Sequence, residues 1–244
     1  MSVSLQATQT IASGGCKASR CSVLSRPNTT SSIGTPCVLA SLAFRSPQAG
    51  QDHLTGHYDR AVALRVERFV PARREDFRRL HSEPNGAGWC HCVAWWVPTW
   101  DGWGDRTAQA NAELRERLCD AGQYDGLLSY DADVPVGWCQ LGPRDRLEKL
   151  RDQLELEPDP GAWAVSCFFV APSHRRQGVA SALLEAAIGS ARENGAGTLE
   201  AYPRPGATEA EDAWTGPDRL YSAHGFGLVR EVGARSVVEL RLGS

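Results

Sequence analysis

Six consecutive residues, Arg175-Arg176-Gln177-Gly178-Val179-Ala180, join positive charge to a glycine where a strand-like run gives way to a helical one. That order suits an anion. Gly178 has no Cβ and lets main chain approach a ligand closely, and the first turn of the following helix offers N–H groups without internal partners. The same six residues also fit a surface turn whose arginines face water, so the turn alone names no ligand. A second cluster, Cys90-His91-Cys92, sets two thiols around an imidazole and, with Cys119 or Cys139, could supply zinc ligands. Its spacing speaks against metal, because zinc pairs usually leave about two to four residues between ligands. The expectation is no metal there and a packed aromatic wall instead.

The elements that must hold these residues follow from periodicity. Residues 163–170, Trp-Ala-Val-Ser-Cys-Phe-Phe-Val, read as a buried strand that delivers the chain to the basic turn. A helix over about 178–194 follows, with Val179, Leu183 and Ala187 beside Leu184, Ile188 and Ala191 on one face, and Asn194-Gly195 ends it. Residues 61–70 alternate as a first strand, 72–81 form a short helix, and 83–88 must be a loop. Residues 89–103 hold five tryptophans, a density that needs something to pack on.

A second early helix is predicted at 107–121, a hairpin of strands at 127–130 and 134–141, and a charged helical stretch at 144–155. After the basic turn and its helix comes a strand at 198–202, parallel to 163–170 because a helix separates them. A loop over 203–217, a short helix at 218–224 and strands at 228–232 and 236–242 complete the chain. The expected architecture is α/β, in the α+β sense, with a mixed, mostly antiparallel sheet of about seven strands flanked by helices.

Composition sets the outer bounds. The chain has 244 residues, 42% of them hydrophobic, with 26 basic and 29 acidic side chains and a formal net charge of −3. No global field draws it to nucleic acid or to an anionic membrane, so an anion site must be local. No run reaches the roughly 18 apolar residues that a membrane-spanning helix needs. The eight cysteines lack the regular spacing of a disulfide scaffold, which points to reduced thiols and a cytoplasmic location.

Residues 1–51 contain no acidic side chain and four basic ones, Lys17, Arg20, Arg26 and Arg45. Serine and threonine are abundant and apolar periodicity is absent, so residues 1–60 read as a disordered extension ahead of a folded domain at 61–244. An upstream extension from a misplaced start and an organelle transit peptide both fit this composition; the first is preferred because no basic amphipathic helix is evident.

The order of elements, with Arg175, Gly178 and Ala180 in the pattern Gln/Arg-x-x-Gly-x-Gly/Ala, resembles the GNAT superfamily of acyl-CoA-dependent N-acetyltransferases, in particular a bacterial branch with a tryptophan- and cysteine-rich N-terminal loop. Leu220-Tyr221-Ser222-Ala223-His224-Gly225-Phe226 is similar to that family's Tyr-x-x-x-Gly-Phe. The resemblance covers about residues 61–242. It implies acetyl-CoA as co-substrate, its diphosphate held by Arg175, Arg176, Gln177, Gly178, Val179 and Ala180. Its pantetheine arm would run along the backbone of Cys167, Phe168, Phe169 and Val170, beside a splayed parallel pair of central strands.

By the same resemblance Tyr221 is the general acid that protonates the departing thiolate. Glu200, on the strand that lines the opening, is the first choice of general base, with Asp131 and Asp133 as competitors. The Phe168 N–H could polarise the acyl carbonyl. Where many members carry asparagine seven residues before the tyrosine, this chain has Trp214. The expected activity is direct transfer of acetyl to an amine of a small molecule or peptide, without nucleic acid or membrane as partner. The alternative is a non-catalytic acyl-CoA sensor or interaction module with the same fold.

Overall fold

The computed structural model describes residues 64–82, 88–207 and 213–243. The readings of residues 1–60 and most of the loop at 83–88 lie outside the described residues. All described residues fall within the unit His57–Ser244.

Strand β1, Leu64–Arg68, is followed by helices α1, Arg74–Leu80, and α2, Ala108–Asp120. Thr107 caps α2, its hydroxyl accepting from the Ala110 N–H at 3.1 Å. Strands β2, Gly126–Asp131, and β3, Val134–Pro143, form the predicted hairpin; Ala132 turns it at φ 50°. The charged stretch resolves into a short turn at Arg144–Arg146 and helix α3, Glu148–Gln153. Then come β4, Ala162–Val170, α4, Val179–Glu193, and β5, Thr198–Ala201. Helix α5, Asp218–Ala223, and strands β6, Gly227–Val232, and β7, Arg235–Arg241, close the sequence of elements.

The seven strands lie in the order β1-β2-β3-β4-β5-β7-β6, and β4–β5 is the parallel pair. A parallel pair is covered on both faces, and β4 is apolar on both. On the face that carries α4 and α5, Val165, Phe168, Leu183, Leu184, Ala187, Leu199, Ala201, Tyr221 and Phe226 form one core. On the other face, Phe77, Leu80, Cys92, Tyr124, Trp138 and Cys167 form a second, and Trp95, Leu150 and Tyr202 a third. The period of two along β5 carries into the next residue: Leu199 and Ala201 join the first core, while Tyr202, just past the strand, joins the third. Each fully buried leucine here stabilises the fold by about 1.5–3 kcal/mol relative to an exposed one.

Candidate functional site

The opening between β4 and β5 follows from their unequal lengths. The two pair from Ala162 with Thr198 to Val165 with Ala201, where β5 stops while β4 runs five residues further, from Ser166 to Val170. At the same point β4 carries an extra residue. Leu141 of β3 faces Val165 and Gln140 faces Cys167, so Ser166 is bulged out of register. The freed Ser166 carbonyl accepts from Trp95 Nε1 at 3.2 Å, and the Phe168 N–H donates to the Trp214 carbonyl at 2.6 Å.

The basic turn leads from this strand into α4 through two residues in left-handed conformation, Arg176 at φ 60° and Gly178 at φ 82°. Residues 175–178 are exposed, Val179 is buried and anchors the helix, and Ala180 is half-buried. No side chain caps the first turn and no acidic residue stands in it. The leading N–H groups of a 15-residue helix therefore face outward, uncapped by side chain, which is the arrangement that binds anions. Gly178 has no heavy atom within 4 Å of where a Cβ would stand, so the approach is open. Arg175 Nε donates to the Val170 carbonyl at 3.2 Å, tying the turn to the end of β4, and Gln177 Nε2 donates to the Ser173 carbonyl at 2.7 Å within the turn.

Tyr221 is buried in α5, its ring against Phe226 with centroids 5.3 Å apart and 6.5 Å from Phe168. Its hydroxyl donates to the Thr215 carbonyl. Gly216, at φ 87°, makes the tight approach possible, since a Cβ there would lie 2.5 Å from the tyrosine oxygen. Burial pushes the phenol well above its ordinary pKa, so it stays protonated at neutral pH.

Glu200 is placed on the opposite face from Tyr221. Arg144 Nη1 donates to one carboxylate oxygen at 2.7 Å and the Tyr202 hydroxyl to the other at 2.8 Å. Arg144 is itself buried and also donates to the Glu157 carbonyl. Burial raises the Glu200 pKa, and the Tyr202 hydrogen bond and the Arg144 charge oppose that rise without cancelling it. Asp131 instead lies 3.4 Å from His174 Nε2, and Asp133 is exposed with Arg65 at 3.9 Å. Both sit at the β2–β3 hairpin, away from β5.

The tryptophan segment packs on the same face as Glu200. Trp95 and Trp214 lie 5.5 Å apart, and the Arg235 guanidinium stands 5.3 and 5.0 Å from their rings. Lys149 is enclosed by Trp100, with Nζ 3.4 Å from the ring centre, and by Trp95 and Trp103, each at 5.8 Å. Its ammonium donates to the Ala94 carbonyl, and burial lowers its pKa to about 8. The aromatic wall thus encloses a cation of the chain itself.

Two consecutive left-handed residues, His91 and Cys92, bring the Cys92 thiol to 3.2 Å from Cys167 on β4 and 3.3 Å from His81 Nε2. His81 Nδ1 faces the Phe77 carbonyl at 3.0 Å, which fixes the proton on Nδ1 and leaves Nε2 to accept from the thiol. Sequence gave no signal for His81: it sits at the end of a helix whose other residues read as ordinary surface and core. Among the described residues no group of three or more His, Cys, Asp or Glu side chains is disposed to hold a metal ion, and no helix is long and apolar enough to cross a membrane.

Residues 75–226 match the profile of the acetyltransferase (GNAT) family. Among solved structures, a GNAT-family protein of Desulfovibrio desulfuricans is similar at 20% identity and a TM-score of 0.47, covering 74% of this chain and all of the other. An N-acetyltransferase from Staphylococcus aureus is similar at 16% identity and a TM-score of 0.46, covering 74% and 99%. YncA from Salmonella typhimurium, with its cofactor acetyl-CoA, is similar at 19% identity and a TM-score of 0.44, covering 74% and 95%. No curated protein matches the sequence.

Proposed function

Starting from the fact that the chain belongs to the GNAT acetyltransferase family, we propose that it binds acetyl-CoA along β4 and at the start of α4 and transfers the acetyl group to an amine of a small molecule or peptide. One observation carries this reading. An uncapped helix start, free of acidic residues, follows through the basic turn from a strand that outruns its parallel neighbour.

In this proposal Arg175, Arg176, Gln177, Gly178, Val179 and Ala180 hold the diphosphate, chiefly through backbone N–H groups and the two guanidinium charges. The β4 backbone of Phe168, Phe169 and Val170 pairs with the pantetheine arm as an added strand would. When bound, the co-substrate supplies the thioester that activates the acetyl group. Tyr221 is the proton donor to the leaving thiol; its hydroxyl must turn from the Thr215 carbonyl to do so. Glu200 is the base, acting on the face opposite Tyr221, and its raised pKa strengthens it as a proton acceptor.

The test is release of free coenzyme A thiol from acetyl-CoA by the full chain, across a panel of polyamines, amino acids and peptide N-termini. Amine-dependent release above the background of protein-free mixtures is expected. Binding of acetyl-CoA by titration calorimetry with no release for any acceptor would refute transfer and leave a binding module.

A further inference from the structure

Backbone N–H and C=O groups left over where β5 stops must find partners elsewhere. On β4 the Ser166 carbonyl is taken by the Trp95 indole and the Phe168 N–H by the Trp214 carbonyl. The 2.6 Å contact is a close one, and it lies on the segment of β4 that a pantetheine arm would pair with. The Trp214 segment is secured at both ends of this contact. Its indole packs against Trp95 at 5.5 Å beneath the Arg235 guanidinium. Arg235 Nη1 also donates to Thr215 Oγ1 and to the Tyr202 carbonyl, both at 3.0 Å, tying the residue after Trp214 to the exit of β5.

We infer that Trp214 controls entry of the acyl donor: its carbonyl and the donor's own carbonyl groups compete for the Phe168 N–H, so the segment at Trp214 must withdraw before the donor can pair with β4. The inference rests on the acetyl-CoA reading above and adds the residue that sets donor affinity. The physical argument is one of stoichiometry. One N–H makes one good hydrogen bond, and an acceptor held in place by the protein is present at every encounter. A ligand that needs the withdrawn state then binds with its intrinsic constant divided by the fraction of molecules in that state. Thr215 is held by Arg235 and Tyr221, and what residue 214 itself adds to the hold is the indole, because its carbonyl is common to all residues. Shortening the side chain at 214 removes the contact with Trp95 and Arg235, raises the withdrawn fraction and tightens donor binding.

The experiment compares the full chain with Trp214→Ala and Trp214→Phe by calorimetric titration with coenzyme A, alongside hydrogen exchange at the Phe168 amide without ligand. The alanine variant should bind coenzyme A about fivefold or more tighter than the parent, with phenylalanine between them. Its Phe168 amide should exchange faster while thermal unfolding stays cooperative. Equal or weaker binding by both variants, with cooperative unfolding retained, would overturn the inference. Should Trp214→Ala unfold, the phenylalanine variant decides on the same criterion. Absence of coenzyme A binding by the parent and both variants would remove the acetyl-CoA reading and the inference together, an outcome distinct from parent binding that the substitutions fail to tighten.

Discussion

Arg144, in the turn that follows β3, and Glu200, on β5, meet at 2.7 Å with side-chain exposures of 4% and 8%. A pair so deeply buried is held by mutual need more than by net gain, because each charge alone would be stranded. Arg144→Ala should therefore destabilise the protein by about 3–5 kcal/mol, and Glu200→Gln, which leaves the buried Arg144 charge unpaired and has one acceptor oxygen where Arg144 and Tyr202 use two, should cost as much. Urea unfolding of the two variants measures both losses. A loss of only about 1 kcal/mol for Glu200→Gln would show that Arg144 requires a hydrogen-bond acceptor and not the carboxylate's charge.

The same pair bears on pH. Burial lifts the Glu200 pKa above 4.5, and a base works only when unprotonated. The acidic limb of kcat/KM should lie above pH 4.5, falling as pH drops, and Glu200→Gln should remove that limb along with most of the rate, about 10²-fold or more. An unchanged limb in the glutamine variant would assign the base elsewhere.

His81 gives an acid-sensitivity of the opposite kind. Burial lowers its pKa from 6.5 to about 3, so the folded state keeps the imidazole neutral while the unfolded chain takes up a proton below 6.5. The stabilising contribution is complete above pH 6.5 and is lost as pH falls toward 3, with a full span of about 5 kcal/mol. Urea midpoints at pH 7 and pH 4.5 should differ more for the parent than for His81→Phe. Parallel slopes would mean that His81 titrates normally.

Most of the fold was legible because its signals are local. The periodicity of 178–194 matches α4, Val179–Glu193, and the helix placed between two strands matches the one parallel pair, β4–β5. What was not legible depended on distant partners. Nothing near Arg144 in the chain indicates Glu200, 56 residues on, and nothing near Trp214 indicates the Phe168 N–H. The tryptophans were readable as a packing surface, yet that Lys149 fills it is a tertiary fact. The basic turn lay between these cases: its left-handed glycine and helix start are sequence-local, and only its tie to the end of β4, from Arg175 to the Val170 carbonyl, needed the structure.

Gly178 tests that turn. Its φ of 82° disfavours any residue with a Cβ, although space for one is open, so Gly178→Ala should cost about 1 kcal/mol through backbone conformation alone. The same shift re-aims the first N–H groups of α4 and should weaken coenzyme A binding about tenfold. Thermal unfolding and calorimetric titration measure the two effects separately. A stability loss without a change in affinity would detach the turn from the diphosphate.

Tyr221 separates chemistry from packing. Replacing it by phenylalanine keeps the ring against Phe226 and removes only the hydroxyl, which among the described residues donates to the Thr215 carbonyl. The stability cost should be about 1 kcal/mol, that of one hydrogen bond. If the hydroxyl delivers the proton to the leaving thiol, kcat should fall about 10²-fold with the KM for acetyl-CoA unchanged. Because burial holds the phenol well above its ordinary pKa, it cannot produce a loss of rate between pH 7 and pH 10, and any alkaline limb there must persist in Tyr221→Phe. A variant with unchanged kcat would return Tyr221 to a packing role under β4 and require another proton donor at the opening.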